Sequence, residues 1–124
     1  MDIKKELFNY IIFGIATTIL NISLYLFLTE VLSVNYIVSN IVAWFVSVLF
    51  AYITNRIWVF ESKNENILYE MFKFYSGRIF TGVLETVLLI IFIDLLILDN
   101  TFSKIFVTIL VIVSNYIISK KIVF

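Results

Sequence analysis

The sequence predicts an all-α membrane protein of four transmembrane helices, arranged as two parallel helical-hairpin repeats. Three observations carry that expectation: an apolar excess too large for a small soluble domain, four apolar runs long enough to cross a bilayer, and a chain that aligns with itself at a shift of 64 residues. Of the 124 residues, 62% are hydrophobic and 15% charged, and mean hydropathy is +1.06. An ordinary soluble domain is about half apolar and about a quarter charged. A chain this short has too much surface for its volume to hide the surplus in water.

A bilayer core of about 30 Å needs about 20 apolar helical residues. Four runs qualify: roughly 7–32, 36–60, 72–98 and 101–118. Proline is absent and glycine occurs three times, so each run can be one continuous helix. The first run follows Lys4-Lys5, as a secretory signal would. It is too long for one and no small-residue cleavage motif follows, so a retained span is expected. Ser33-Val34-Asn35 and Asp99-Asn100 are tight breaks that join antiparallel pairs. The stretch 61–70, with Glu61, Lys63, Glu65 and Glu70, is longer, charged and expected to lie in water. A soluble bundle would show whole polar faces at helical period; these runs carry isolated polar residues.

Orientation follows from the cations. With four spans, the two ends and the middle loop share one side, which holds Lys4, Lys5, Arg56, Lys63, Lys73, Arg78, Lys120 and Lys121. The other side holds Lys104. The bias predicts a multi-pass plasma-membrane protein with both termini cytoplasmic. Net charge is zero, and nucleic acid is not an expected partner.

Shifted by 64 residues without a gap, the halves share fourteen identities, among them Glu6/Glu70, Thr17/Thr81, Ser39/Ser103, Tyr52/Tyr116, Val59/Val123 and Phe60/Phe124. Chance in so biased a composition supplies about half as many, so the correspondence of the ends matters more. AYITNRIWVF at 51–60 falls on NYIISKKIVF at 115–124, each an aromatic and a cation before an apolar exit. The expectation is one domain, 1–124, with halves of about 1–60 and 65–124. Two spans per half make the copies parallel, with a pseudo-two-fold axis along the membrane normal. Such a seam can carry a pathway, or record a hairpin duplicated because it packs well.

Polar residues inside the spans are costly in lipid and therefore informative. Lys104, Thr108, Asn115 and Ser119 share one face of the fourth run, and Arg78, Thr81, Gly82 and Glu85 one face of the third. The first contributes Gly14, Thr17, Thr18, Asn21 and Tyr25, the second Asn40, Ser47 and Thr54. For Ser, Thr and Gly, helix packing is the plainer reading. Asn55 and Asn115 are larger and harder to satisfy. Glu85 lies near mid-span, where it needs pairing, protonation or water, and an ion pair across helices is its structural alternative. Lys104 at the outer end is a candidate anion ligand or a snorkelling anchor.

No Cys or His occurs, which excludes disulfides, thiolate or imidazole metal sites and His bases. The acids Glu30, Glu85 and Asp94 lie at different depths and form no catalytic cluster. A non-enzymatic protein without cofactor or metal is expected. Cations at both ends of an enclosed polar stripe suggest an anion crossing the membrane, with Arg as a bidentate phosphate grip and Lys as a point charge.

The exit motif Asn55-Arg56-Ile57-Trp58-Val59-Phe60, the opening FNYIIFG at 8–14, the segment FKFYSGRIF at 72–80 and the ending NYIISKKIVF resemble the GtrA-like family over nearly the whole chain. The resemblance implies movement of a polyprenyl-phosphate-linked sugar to the outer leaflet. A separate membrane glycosyltransferase would use it there on cell-wall polymers, such as teichoic acid, or on lipopolysaccharide. It implies functional positions at Ala51, Asn55, Val59 and Phe60, at Arg78, and at Lys104 and Asn115, with Arg56 in the exit motif. Phe13 departs from the family, which has a small or branched residue there. In this reading Arg78 and Lys104 hold the lipid phosphate at the cytoplasmic and outer ends. Asn55 and Asn115 bond phosphate or sugar hydroxyls, and Glu85 orders Arg78 or the sugar path. A homo-oligomer is compatible. The alternatives are a small multidrug-type proton antiporter, which would depend on Glu85, and a non-transporting partner of a glycosyltransferase.

Overall fold

Four caps start four helices. Asp2 accepts from the Lys4 N–H at 3.4 Å, Asn35 from Ile37 at 2.8 Å, Asn66 from Tyr69 at 3.1 Å and Asp99 from Phe102 at 2.9 Å. Each side chain satisfies an amide that the first helical turn leaves open. The computed structural model describes residues 2–124; Met1, first residue of the 1–60 half, lies outside them. The helices are α1 (Ile3–Leu26), α2 (Tyr36–Thr54), α3 (Ile67–Ile90) and α4 (Asn100–Ile118). Each runs on into one wider π-helical turn: Phe27–Val31, Asn55–Val59, Ile91–Leu95 and Ser119–Val123.

The chain divides into two units, 1–63 and 64–124. In the first, α1 and α2 pack as an antiparallel hairpin; in the second, α3 and α4 do the same. Every element boundary of the second unit lies 64 residues after its counterpart in the first. Buried positions recur at the same offset: Glu6 and Glu70, Tyr10 and Phe74, Ser39 and Ser103, Ala43 and Val107, Asn55 and Ser119, Val59 and Val123. The aromatic closure recurs too, Tyr10 against Phe60 at 6.3 Å and Phe74 against Phe124 at 6.0 Å.

Burial is inverted relative to a soluble protein. Half of the buried residues are polar, whereas Ile11, Ile15, Ile19 and Ile22 on α1 and Ile79, Val83, Val87 and Ile90 on α3 are exposed. Lipid is as apolar as Leu and gives no reason to bury it, so helices meet through small and polar residues instead. Gly77 shows the close approach: a Cβ there would stand 3.0 Å from Ile118 Cγ2 of α4.

By length and apolarity Ile3–Val31, Tyr36–Val59 and Asn100–Val123 are membrane spans. The stretch from Ile67 to Leu95 falls short of that apolarity because it carries Glu70, Lys73, Arg78, Glu85 and Asp94. It is as long as the α1 span and packs along α4. The protein is an all-α membrane protein.

Two starts and one end differ from expectation, the end being that of the fourth run, which continues past 118 through its π-helical turn to Val123. α1 and α3 begin four and five residues earlier than the apolar runs do, because Asp2 and Asn66 cap polar first turns. Glu70 therefore does not lie in a watery loop. It is fully buried in the first turn of α3, as Glu6 nearly is in α1, where the positive end of the helix dipole favours a carboxylate.

Candidate functional site

The α3/α4 hairpin arranges its candidate residues in order along its length. At the middle of α3, Arg78 lies half-buried with its guanidinium carbon 4.8 Å from the centre of the Phe74 ring. Phe74 is buried and braced by Phe124, so it is a fixed platform for a cation. Among the described residues no carboxylate engages Arg78.

One turn on, Thr81 Oγ1 donates to Asn115 Oδ1 of α4 at 2.7 Å. That spends one acceptor of the Asn115 amide and leaves its NH2 without a protein partner among the described residues. A further turn on, Lys104 Nζ of α4 meets Glu85 Oε1 at 2.6 Å. The expectation that Glu85 orders Arg78 is corrected here. The two are seven residues apart on one helix, about 10 Å along its axis, beyond side-chain contact. Lys104 stands level with Glu85 on the facing helix instead. Lys104 is accordingly not a solitary snorkelling anchor, although its side chain remains 60% exposed.

The other candidates lie in the α1/α2 hairpin. Ala51, Asn55 and Val59 are buried on successive turns of one face. Asn55 Oδ1 has no hydrogen-bond partner, an uncompensated acceptor in a protein interior. Arg56 Nη1 donates to Ser62 at 3.4 Å beyond the helix end. Phe60 closes on Tyr10. Much of the exit motif is thus packing: Trp58 stacks on Phe13 at 5.7 Å, and Asn9 donates to its carbonyl at 3.4 Å. Thr17, Thr18 and Thr54 donate to carbonyls one turn back and are satisfied within their own helices.

Between α1 and α2 an open cleft of about 380 Å³ is lined by Asn21, Tyr25, Tyr36 and Asn40 with Ile22, Ile37 and Ile41. Sequence reasoning placed Asn21, Tyr25 and Asn40 on polar stripes but did not join them. It also gave no role to Phe74 or Phe13. Phe74 matches Tyr10 at the 64-residue offset in ring character rather than identity, a signal that counting identities passes over. Phe13 was visible as a departure from the family, and its bulk is explained by the Trp58 ring it meets.

The model of the GtrA/DPMS transmembrane domain matches residues 9–124. An uncharacterized membrane protein of Bacillus subtilis, YwcD, is 37% identical over 118 residues, covering 93% of this chain and 93% of the relative. The cell wall teichoic acid glycosylation protein GtcA of Listeria monocytogenes is 36% identical over 126 residues, covering 99% of this chain and 87% of the relative. GtcA of Listeria innocua is 35% identical with the same coverage. No solved structure matches. A match over nearly the whole length of the two-hairpin fold places the chain in the GtrA/DPMS transmembrane-domain family.

Proposed function

We propose that the protein is a flippase, or the membrane component of one, that moves a polyprenyl-phosphate-linked sugar to the outer leaflet of the plasma membrane. A separate membrane glycosyltransferase consumes the sugar there to decorate teichoic acid or another envelope polymer. Family membership and the relatives named for teichoic acid glycosylation support this reading. The observation that carries it is Arg78, a guanidinium on an aromatic platform that no carboxylate engages among the described residues. Such a cation is costly in lipid unless it receives an anion, and its planar fork fits a phosphate.

The chain works as one domain and catalyses no bond making. The cation bias supports cytoplasmic termini, and in that orientation Arg78 loads the lipid phosphate from the inner leaflet. The Asn115 NH2, one turn further along the same hairpin, offers the next hydrogen bond. Lys104 receives the phosphate near the outer face by exchanging Glu85 for it, and re-forming that pair releases the ligand. The polyprenyl tail stays in lipid throughout, and sugar consumption outside makes the movement downhill.

The direct test is flipping of a short-chain fluorescent sugar-phosphoprenol in liposomes. The purified full chain should accelerate it over protein-free vesicles. No acceleration, together with copurification of a glycosyltransferase, would establish the non-transporting partner instead. Orientation is tested by impermeant thiol labelling of intact cells, in which Asn100→Cys should react and Lys63→Cys should not.

A further inference from the structure

The repeat offset sets two sites side by side for comparison. Glu85 and Lys104 of the second hairpin correspond to Asn21 and Asn40 of the first, and Leu89 and Asn100 correspond to Tyr25 and Tyr36. In the second hairpin the two charges close on each other. In the first, two amides face one cleft, and neither Asn21 nor Asn40 has a side-chain hydrogen bond among the described residues. Each amide offers two donors and an acceptor. Leaving them unused inside a membrane span is unfavourable, so the cleft is built for something that brings hydroxyls.

We propose that this cleft is a binding subsite for a neutral sugar head group, gripped by Asn21 and Asn40 and flanked by the rings of Tyr25 and Tyr36. The lining carries no charge, so it offers nothing specific to a phosphate. Paired amides can accept and donate at once to adjacent hydroxyls, as a polyol requires. The phenol rings offer flat apolar faces with a polar tip, suited to the C–H faces of a pyranose. A volume of about 380 Å³ lies within the range of small-ligand sites and admits one or two sugar rings. The assignment rests on the sugar-lipid reading for its biological ligand.

The probe is octyl β-glucoside below its micelle-forming concentration, with tetraethylene glycol monooctyl ether as the equal-tailed control without a sugar. The chain has no Cys, so Ile41→Cys, at an exposed lining position, reports on the cleft through its rate of reaction with a hydrophilic maleimide. In the full chain in nanodiscs, near-saturating glucoside should slow that reaction about fivefold and the ether should not. Adding Asn21→Leu and Asn40→Leu should abolish the protection while leaving the unprotected rate unchanged, since both amides lack protein partners. Ile105→Cys, the counterpart in the second hairpin, should be indifferent to the glucoside. Equal protection by glucoside and ether would overturn the proposal in favour of a tail-binding groove. Absence of protection, or protection that survives loss of both amides, would also overturn it. None of these readouts requires transport, so failure of the flippase reading and failure of the subsite are separate results.

Discussion

The α1/α2 and α3/α4 hairpins share every element boundary at one offset, yet they treat polar residues in opposite ways. In α3/α4 the polar groups are matched in pairs across the helices or held on a ring: the charges Glu85 with Lys104, the neutral Thr81 with Asn115, and Arg78 over Phe74. In α1/α2 the corresponding positions are neutral, and the amides of Asn21, Asn40 and Asn55 are left with unused capacity. The same scaffold therefore holds two chemistries. The lesson is that duplication fixes the packing positions, Glu6/Glu70, Ser39/Ser103 and Val59/Val123, and leaves the positions between them to diverge.

The largest expected effect separates Arg78 from its counterpart Gly14. Arg78→Ala should lower sugar decoration of the cell surface about ten- to a hundredfold, the loss of a charge-assisted phosphate contact. Arg78→Lys should rescue poorly, because a bidentate fork becomes a point charge. Gly14→Ala should be silent, since a Cβ there meets nothing within 4 Å. Normal flipping by a folded, inserted Arg78→Ala protein would remove the phosphate reading and reduce the cation–ring contact to packing.

Next is the charge pair. Lys104→Met leaves Glu85 uncompensated in the membrane and should destabilise the protein by up to about 3 kcal/mol. Glu85→Gln with Lys104→Met should recover most of that stability, a coupling that a double-mutant cycle of unfolding measures. Activity should stay low in the double variant, because the outer phosphate ligand is gone. Additive losses would mean that the 2.6 Å contact contributes nothing and that the hairpins differ less than their geometry implies.

Asn55 offers a smaller effect of opposite sign. Its buried acceptor has no partner, so Asn55→Leu should leave thermal stability unchanged or raise it by about 1–2 kcal/mol, while sugar decoration falls. The counterpart Ser119→Ala should change neither by much. A strongly destabilised Asn55→Leu protein would make Asn55 a packing residue like Val59.

The four helices, their order and their pairing into hairpins were legible because apolar runs of span length and the tight breaks Ser33-Val34-Asn35 and Asp99-Asn100 stand out in the sequence. The early starts of α1 and α3 were not, because their first turns are charged and read as loop until Asp2 and Asn66 are seen to cap them. Helical spacing put Arg78, Thr81 and Glu85 on one face. It could not say which helix each would turn to, since partners across a hairpin depend on the level at which two helices meet. Lys104 opposite Glu85 and Asn115 opposite Thr81 are facts of register. The cleft required knowing that Asn21, near the end of α1, lies beside Asn40, near the start of α2.

The finest difference between the hairpins lies at their outer turns, and it gives the smallest prediction. Ser33 and Ile97 occupy equivalent positions after the first and third helices, and both hold a left-handed backbone, φ 54° and 53°. Glycine is the usual residue there because it has no Cβ to clash, and a β-branched residue is the worst fit. Ile97 is 84% exposed, so its side chain has little packing to lose. Ile97→Gly should therefore raise stability by about 1 kcal/mol, and Ser33→Gly by less, because Ser tolerates the left-handed region better than Ile does. Ile97→Asn distinguishes backbone from anchoring. Asn also accepts the left-handed region, so relief of strain predicts a gain for both variants. If Ile97 instead holds the turn in the membrane interface, both variants lose stability in lipid while Ser33→Gly does not. Thermal unfolding of the three proteins in nanodiscs decides between these outcomes.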